Sequence, residues 1–152
     1  MRRCARLVLA VVVLTPGLAG AQEPAWETLA ADEGTATLVE MDRTQVRYRD
    51  GQLSGWLRLS FAEPAQGRIQ PFRSAVALYA FDCARQRYAA IRMTTYSEPL
   101  GEGEVIDRWD RPPARWAWMV ARLGSVDETM LDRACIQAPA TILSSAMQTR
   151  PP

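Results

Sequence analysis

Of the three cysteines in this 152-residue chain, Cys83 and Cys135 lie in the part that reads as a folded domain, and they are its clearest chemistry. The third, Cys4, precedes an apolar run close to the N-terminus. Histidine and lysine are both absent, so all eighteen basic residues are arginines. That inventory removes much of enzymology. A serine nucleophile has no imidazole or amine to take its proton, so Ser74 and Ser125 read as a strand residue and a helix cap. Zinc lacks imidazole ligands, and both remaining thiols are better used in a bridge. Asp82 is the one acid set in an apolar strand. A hairpin turn or a pairing with Arg85 or Arg87 accounts for it more simply than a buried catalytic acid. Glu102, Glu104, Asp107 and Asp110 crowd the turn at Gly101 and Gly103 without the spacing of a calcium loop, and those glycines lack the setting of a phosphate loop. No enzyme activity, metal or cofactor is expected.

Tryptophan and arginine supply the remaining candidate. Trp56, Trp109, Trp116 and Trp118 lie close in sequence to Arg58, Arg108, Arg111 and Arg115, a pairing of residue types common at protein interfaces. Small domains bury most of their aromatic rings, so plain sheet packing competes with this reading. The residues kept as a candidate binding surface are Trp56, Arg58, Trp109 and Arg111. Interleaved Glu104, Asp107 and Asp110 argue against a uniform anion-binding patch.

Residues 1–21 have the three parts of a secretory signal: Arg2, Arg3 and Arg6, an apolar run from Leu7 to Leu14, and Ala19-Gly20-Ala21 before a cleavage point. The run falls well short of the roughly 20 residues that span a bilayer, so no integral span is expected after cleavage. No cysteine follows the run at a lipoprotein position. Losing three arginines with the signal leaves fifteen basic against seventeen acidic residues, a net charge of −2. That balance disfavours nucleic acid as a partner. Two cysteines in an exported domain read as one disulfide, Cys83 to Cys135.

These residues need a scaffold, and its centre is the stretch from Ser74 to Glu98, read as two long strands folded back around Asp82, Cys83 and Gln86. The first arm is apolar on both faces, which predicts a central strand ending at Cys83. Upstream, residues 22–34 read as a mobile entry segment anchored by Trp26. Short strands are expected over Thr35–Asp42 and Gln45–Arg49, the second turning at Asp50-Gly51 to pair with Leu53–Phe61. Pro64 to Pro71 reads as a loop. Downstream come strands at Glu104–Trp109 and Arg115–Val120, separated by Pro112-Pro113. Ser125 with Glu128 forms a capping box, and Met130, Leu131, Ala134 and Cys135 make an apolar stripe that lies on the sheet. The domain spans 35–138, and 139–152 is a flexible tail.

Arg73-Ser74, Phe81-Asp82-Cys83-Ala84-Arg85, Arg87-Tyr88, Tyr96-Ser97, Gly101, Gly103, Trp116 and Gly124-Ser125 leading to Cys135 together resemble the surface-adhesin protein E family of bacterial envelope proteins. The resemblance implies an α+β, mainly β fold: an antiparallel sheet of about six strands with a C-terminal helix disulfide-linked to it. It also implies export to the periplasm or cell surface of a Gram-negative bacterium, a partner that is an envelope or host extracellular protein, and homodimer formation. The expected function is that of an exported, non-enzymatic binding or adhesin-like domain. A periplasmic structural or assembly component is the alternative.

Overall fold

The computed structural model describes residues 23–32, 37–49 and 52–137. The expected signal segment, the Asp50-Gly51 turn and the expected tail lie outside them. Among the described residues eight strands form one antiparallel sheet: β1 (Trp26–Asp32), β2 (Thr37–Asp42), β3 (Arg47–Arg49), β4 (Gln52–Ala65), β5 (Phe72–Asp82), β6 (Arg87–Tyr96), β7 (Val105–Asp110) and β8 (Met119–Val120). Six run side by side in the order β1-β2-β4-β5-β6-β7, with short β3 beside β4 and β8 beside β6. Among the described residues one α-helix, α1 (Val126–Ile136), and two short 3₁₀ turns complete the elements.

Strand β5 sits between the two longest of its partners, β4 and β6, as its two apolar faces require. Its register with β4 and β6 aligns Leu57, Ala77 and Met93 across three strands, and Trp109 of β7 continues that row. The adjacent row, Trp56, Leu78, Arg92 and Asp110, therefore points to the opposite face. Ile91 is an extra residue between the pairs Leu78–Arg92 and Tyr79–Ala90, a bulge that preserves this facing on both sides of it.

The helix covers the face that carries Leu57. Met130, Leu131, Ala134 and Cys135 are buried against Val39, Met41, Leu53, Ala77, Tyr79 and Phe81, which make the core. Ser125 caps α1 by accepting from the Glu128 amide at 3.4 Å. The Glu128 carboxylate reaches back to the Gly124 amide at 2.6 Å, one residue before the cap. A disulfide joins Cys83, just past the end of β5, to Cys135 in the last turn of α1, with Cα atoms 5.8 Å apart. The bridge and the apolar stripe thus hold the helix at the same place.

Two stretches differ from the sequence expectation. Trp26–Asp32, expected within a mobile entry segment, is β1 and pairs antiparallel with β2. Leu29 packs on the core, Glu27 accepts an ion pair from Arg133 of α1 at 3.6 Å, and the Arg58 guanidinium lies 4.6 Å from the Trp26 ring. These contacts, with the β2 pairing, fix a segment for which the sequence offered Trp26 as the one anchor. Arg115–Val120 was expected to be a strand, but only Met119–Val120 pairs, with Tyr88 and Arg87. Pro112 and Pro113 lack amide donors, and the chain instead closes a 3₁₀ turn over Pro113–Arg115, with the Arg115 amide bonded to the Pro112 carbonyl at 2.8 Å.

The Gly101 and Gly103 stretch is a turn, built over the sheet face that α1 leaves open. The Ser74 hydroxyl accepts from the Gly101 amide at 2.9 Å and donates to the Glu98 carbonyl, while the Ser60 hydroxyl accepts from the Leu100 amide at 3.0 Å. Gly101 holds φ +77°, and a Cβ there would come within 3.0 Å of the Val76 side chain. Both serines are buried, their hydroxyls used by this turn.

Candidate functional site

The structure divides the predicted surface in two. Trp56 and Arg58 lie on the open face of the sheet, whereas Trp109 and Arg111 lie on the helix-bearing face, beyond the end that α1 covers. Each pair has a different environment.

On the open face, Arg58 is committed. Its guanidinium binds Glu40 through two hydrogen bonds, 2.7 Å from Nε and 2.9 Å from Nη2, and donates to the Leu100 carbonyl at 3.2 Å. Both ionic side chains are largely buried, at 16% and 10% exposure, so this is an internal clamp between β2, β4 and the glycine turn. Trp56 is half-buried beside Trp26, Val76 and Pro24 around a shallow hollow of about 290 Å³. Asp42, only 1% exposed, lines the same hollow. Its carboxylate accepts from the Ala25 and Thr44 amides and the Thr44 hydroxyl, at 3.2, 2.9 and 2.7 Å. Asp42 therefore ties the start of β1 to the turn after β2.

The second surface is a cleft of about 600 Å³ between the 66–71 loop and the turn after β7. Met93, Phe72 and Trp109 are among its apolar lining residues. The Arg111 guanidinium lies 4.2 Å from the centroid of the Trp109 ring. Arg68, the one charged residue of its loop, grips Asp107 with Nε–Oδ2 3.1 Å and Nη2–Oδ1 2.9 Å. Those bonds hold the Asp107 carboxyl below the ordinary carboxylate range. The Trp116 indole donates to the Arg111 carbonyl at 2.9 Å, and its ring meets Trp118 edge-on at 5.8 Å. These two tryptophans thus brace the turn.

Asp82 sits between arginines. Arg87 Nε and Arg85 Nη1 lie 2.8 and 3.2 Å from its Oδ2. Burial works against its charge, but the Arg87 and Arg85 hydrogen bonds outweigh burial and hold its pKa below the ordinary value. Tyr79 and Tyr88, under the helix, are shifted the other way: burial pushes Tyr79 up to about 12, and burial with a hydrogen bond to Asp127 raises Tyr88. Among the described residues no group of three or more His, Cys, Asp or Glu side chains gathers as metal ligands. No helix of the described residues is long and apolar enough to cross a membrane.

Sequence reading missed Glu40, Asp42 and Arg68. Each acts through a partner distant in sequence or hidden in a turn; the only local signal was Asp42-Arg43-Thr44, a carboxylate two residues before a hydroxyl at a strand end.

An open antiparallel sheet carrying one disulfide-tethered C-terminal helix defines the structural class. The family model of surface-adhesin protein E matches residues 26–136, so the chain belongs to the surface-adhesin protein E family, a family of adhesin-like proteins of the bacterial surface. A solved structure of the Se-Met form of protein E from Haemophilus influenzae shares 10% identity at a TM-score of 0.52, covering 76% of this chain and 94% of that one. A second crystal form of Haemophilus influenzae protein E gives 11% identity and a TM-score of 0.48 over 64% of this chain and 80% of that one. At such identity the first likeness speaks for the fold alone. No curated protein matches the chain.

Proposed function

We propose that the chain is an exported, non-enzymatic binding domain of the bacterial envelope that engages a protein partner through the surface carrying Trp109 and Arg111. The observation that carries the reading is the Trp109–Arg111 stack in the wall of an open cleft. A guanidinium parked on an indole keeps its donors at the rim while losing little further freedom on binding, which suits recognition of another protein. The chemistry of the described side chains supports the non-enzymatic part. Ser74 and Ser125 both spend their hydroxyls on backbone groups, and Asp82 is held ionised between two arginines. Membership of an adhesin-like family supports the envelope setting.

The test has two arms. Pull-down from envelope and host-matrix extracts with the oxidised, exported protein should retain a partner that W109A/R111A loses. Protease treatment of intact cells should clip the protein at the surface. Release with the periplasmic fraction and full protection on intact cells would instead favour a periplasmic assembly component. Failure of W109A/R111A to alter any captured partner would remove the proposed surface.

A further inference from the structure

The cleft has a charge arrangement that selects its ligand. Of the arginines lining it, Arg68 is neutralised by Asp107. Asp110 at the rim is already paired with Arg92 on the opposite face, 2.6 Å away. Among the described residues Arg111 and Arg115 have no carboxylate partner. The Arg-Pro-Pro-Ala-Arg sequence puts both on one tight turn, fixed by the Arg115 and Trp116 amides bonding the Pro112 and Pro113 carbonyls and by the Trp116 indole on the Arg111 carbonyl. Elsewhere in the cleft wall, opposite Asp107 in the β6–β7 register, Thr95 is 5% exposed, and its buried hydroxyl has no hydrogen-bond partner among the described residues. A buried hydroxyl without a partner is uncommon, and this one belongs to the cleft wall.

The geometry points to a carboxylate-binding site: the cleft takes an acidic segment of a polypeptide, its carboxylates on Arg111 and Arg115 and an adjacent apolar side chain against Met93 and Phe72. The inference rests on the binding-domain reading above and names the ligand chemistry of that site. Planar guanidinium forks match carboxylates with two parallel hydrogen bonds, and holding the forks in place before binding raises affinity. A peptide fits better than an acidic sugar because sugar binding wants an open aromatic face, and the Arg111 guanidinium already stacks on the Trp109 ring. A volume of about 600 Å³ accommodates two or three residues of an extended peptide.

The experiment is an NMR titration of the oxidised, exported chain. Its probes are a hexapeptide of alternating glutamate and leucine, its glutamine counterpart, a galacturonate disaccharide and inorganic phosphate. The expected result is a saturating shift of the Trp109 indole signal with the glutamate peptide, at a Kd on the order of 1 mM or tighter. The Trp56 indole should stay still, and the glutamine peptide should bind about tenfold more weakly or worse. R111Q/R115Q should lose at least about tenfold in affinity while melting as the parent does, and R49Q, on exposed β3, should bind normally. An unmoved Trp109 signal, equal binding of the two peptides, or an unaffected R111Q/R115Q variant overturns the inference. So does saturation by the sugar acid or by phosphate without the peptide. If the cleft fails here but W109A/R111A still loses the captured partner, only the ligand class is wrong; if both fail, the binding surface itself is wrong.

Discussion

Opening the Cys83–Cys135 bridge tests the architecture most directly, because one covalent bond spans 52 residues and joins the only described α-helix to the sheet. Chain-entropy arithmetic for a closed loop of that length gives about 4 kcal/mol, arising from the unfolded chain being less free while the bridge is intact. For a domain of this size each kcal/mol moves the melting point by about 4 °C, so reduction should lower Tm by about 15 °C. The double variant C83A/C135A should fall by a similar amount, within about 1 kcal/mol, because trimming one sulfur from each site leaves little void. The assay is calorimetry of the oxidised protein, the reduced protein and C83A/C135A, with thiol titration in denaturant to confirm the redox state. Two reactive thiols per folded, exported chain would refute the bridge itself. A reduced protein melting within about 3 °C of the oxidised form would refute the reasoning, since the apolar stripe of α1 would then suffice to hold the helix.

Four further outcomes follow from single contacts. E40A strands a largely buried guanidinium and should cost about 3 kcal/mol by urea unfolding, whereas E40L/R58M, which removes both charges, should come within about 1 kcal/mol of the parent. G101A forces a side chain onto a left-handed backbone against Val76 and should destabilise by about 1–2 kcal/mol, with the m-value unchanged. Asp82 has a lowered folded pKa, so its contribution is present above the ordinary value of 3.8 and fades as pH falls through the folded value. D82N should therefore be less stable than the parent at neutral pH and converge with it as pH falls below the ordinary value of 3.8 and through the folded one, read from urea midpoints across the acid range. Tyr79 has a raised folded pKa, so its contribution is complete below about 10 and is lost as pH climbs towards about 12. Ultraviolet titration of phenolate should show late ionisation coinciding with unfolding, and Y79F should flatten the alkaline loss of stability.

What could be read in the chain follows from how local each signal is. The two-residue period of β5, the Ser125 cap and the three- and four-residue recurrence of Met130, Leu131, Ala134 and Cys135 are local patterns, and each element stands where they place it. Cysteine inventory supplied the one long-range constraint, and the bridge it implied is present. The end segments were harder. β1 is held by its ladder with β2, by Leu29 on the core, and by a guanidinium from β4 and an ion pair from α1, the last two partners that short-range periodicity does not reveal. Trp116 and Trp118 look like strand residues by composition, but the two preceding prolines withhold the donors that a ladder needs. The candidate surface suffered most from parity. Trp56 and Trp109 face opposite sides because register across four strands decides which way each points, and register depends on pairings between distant residues. Family resemblance recovered the architecture without reaching that level of detail.

The outer margin formed by β7, the proline turn and β8 has a consequence for crowding. Arg111 directs its amide inward to the Ile91 carbonyl, so by alternation Arg108 directs its own away from β6, where the neighbouring Asp107 carboxylate receives it at 2.8 Å. The next stretch of border is Pro112-Pro113, which has no amide to offer. A newcomer chain trying to dock lengthwise there finds the Arg108 donor already taken and none at the two prolines. That flank is accordingly a poor template for strand addition, the first step towards stacking of one copy on another.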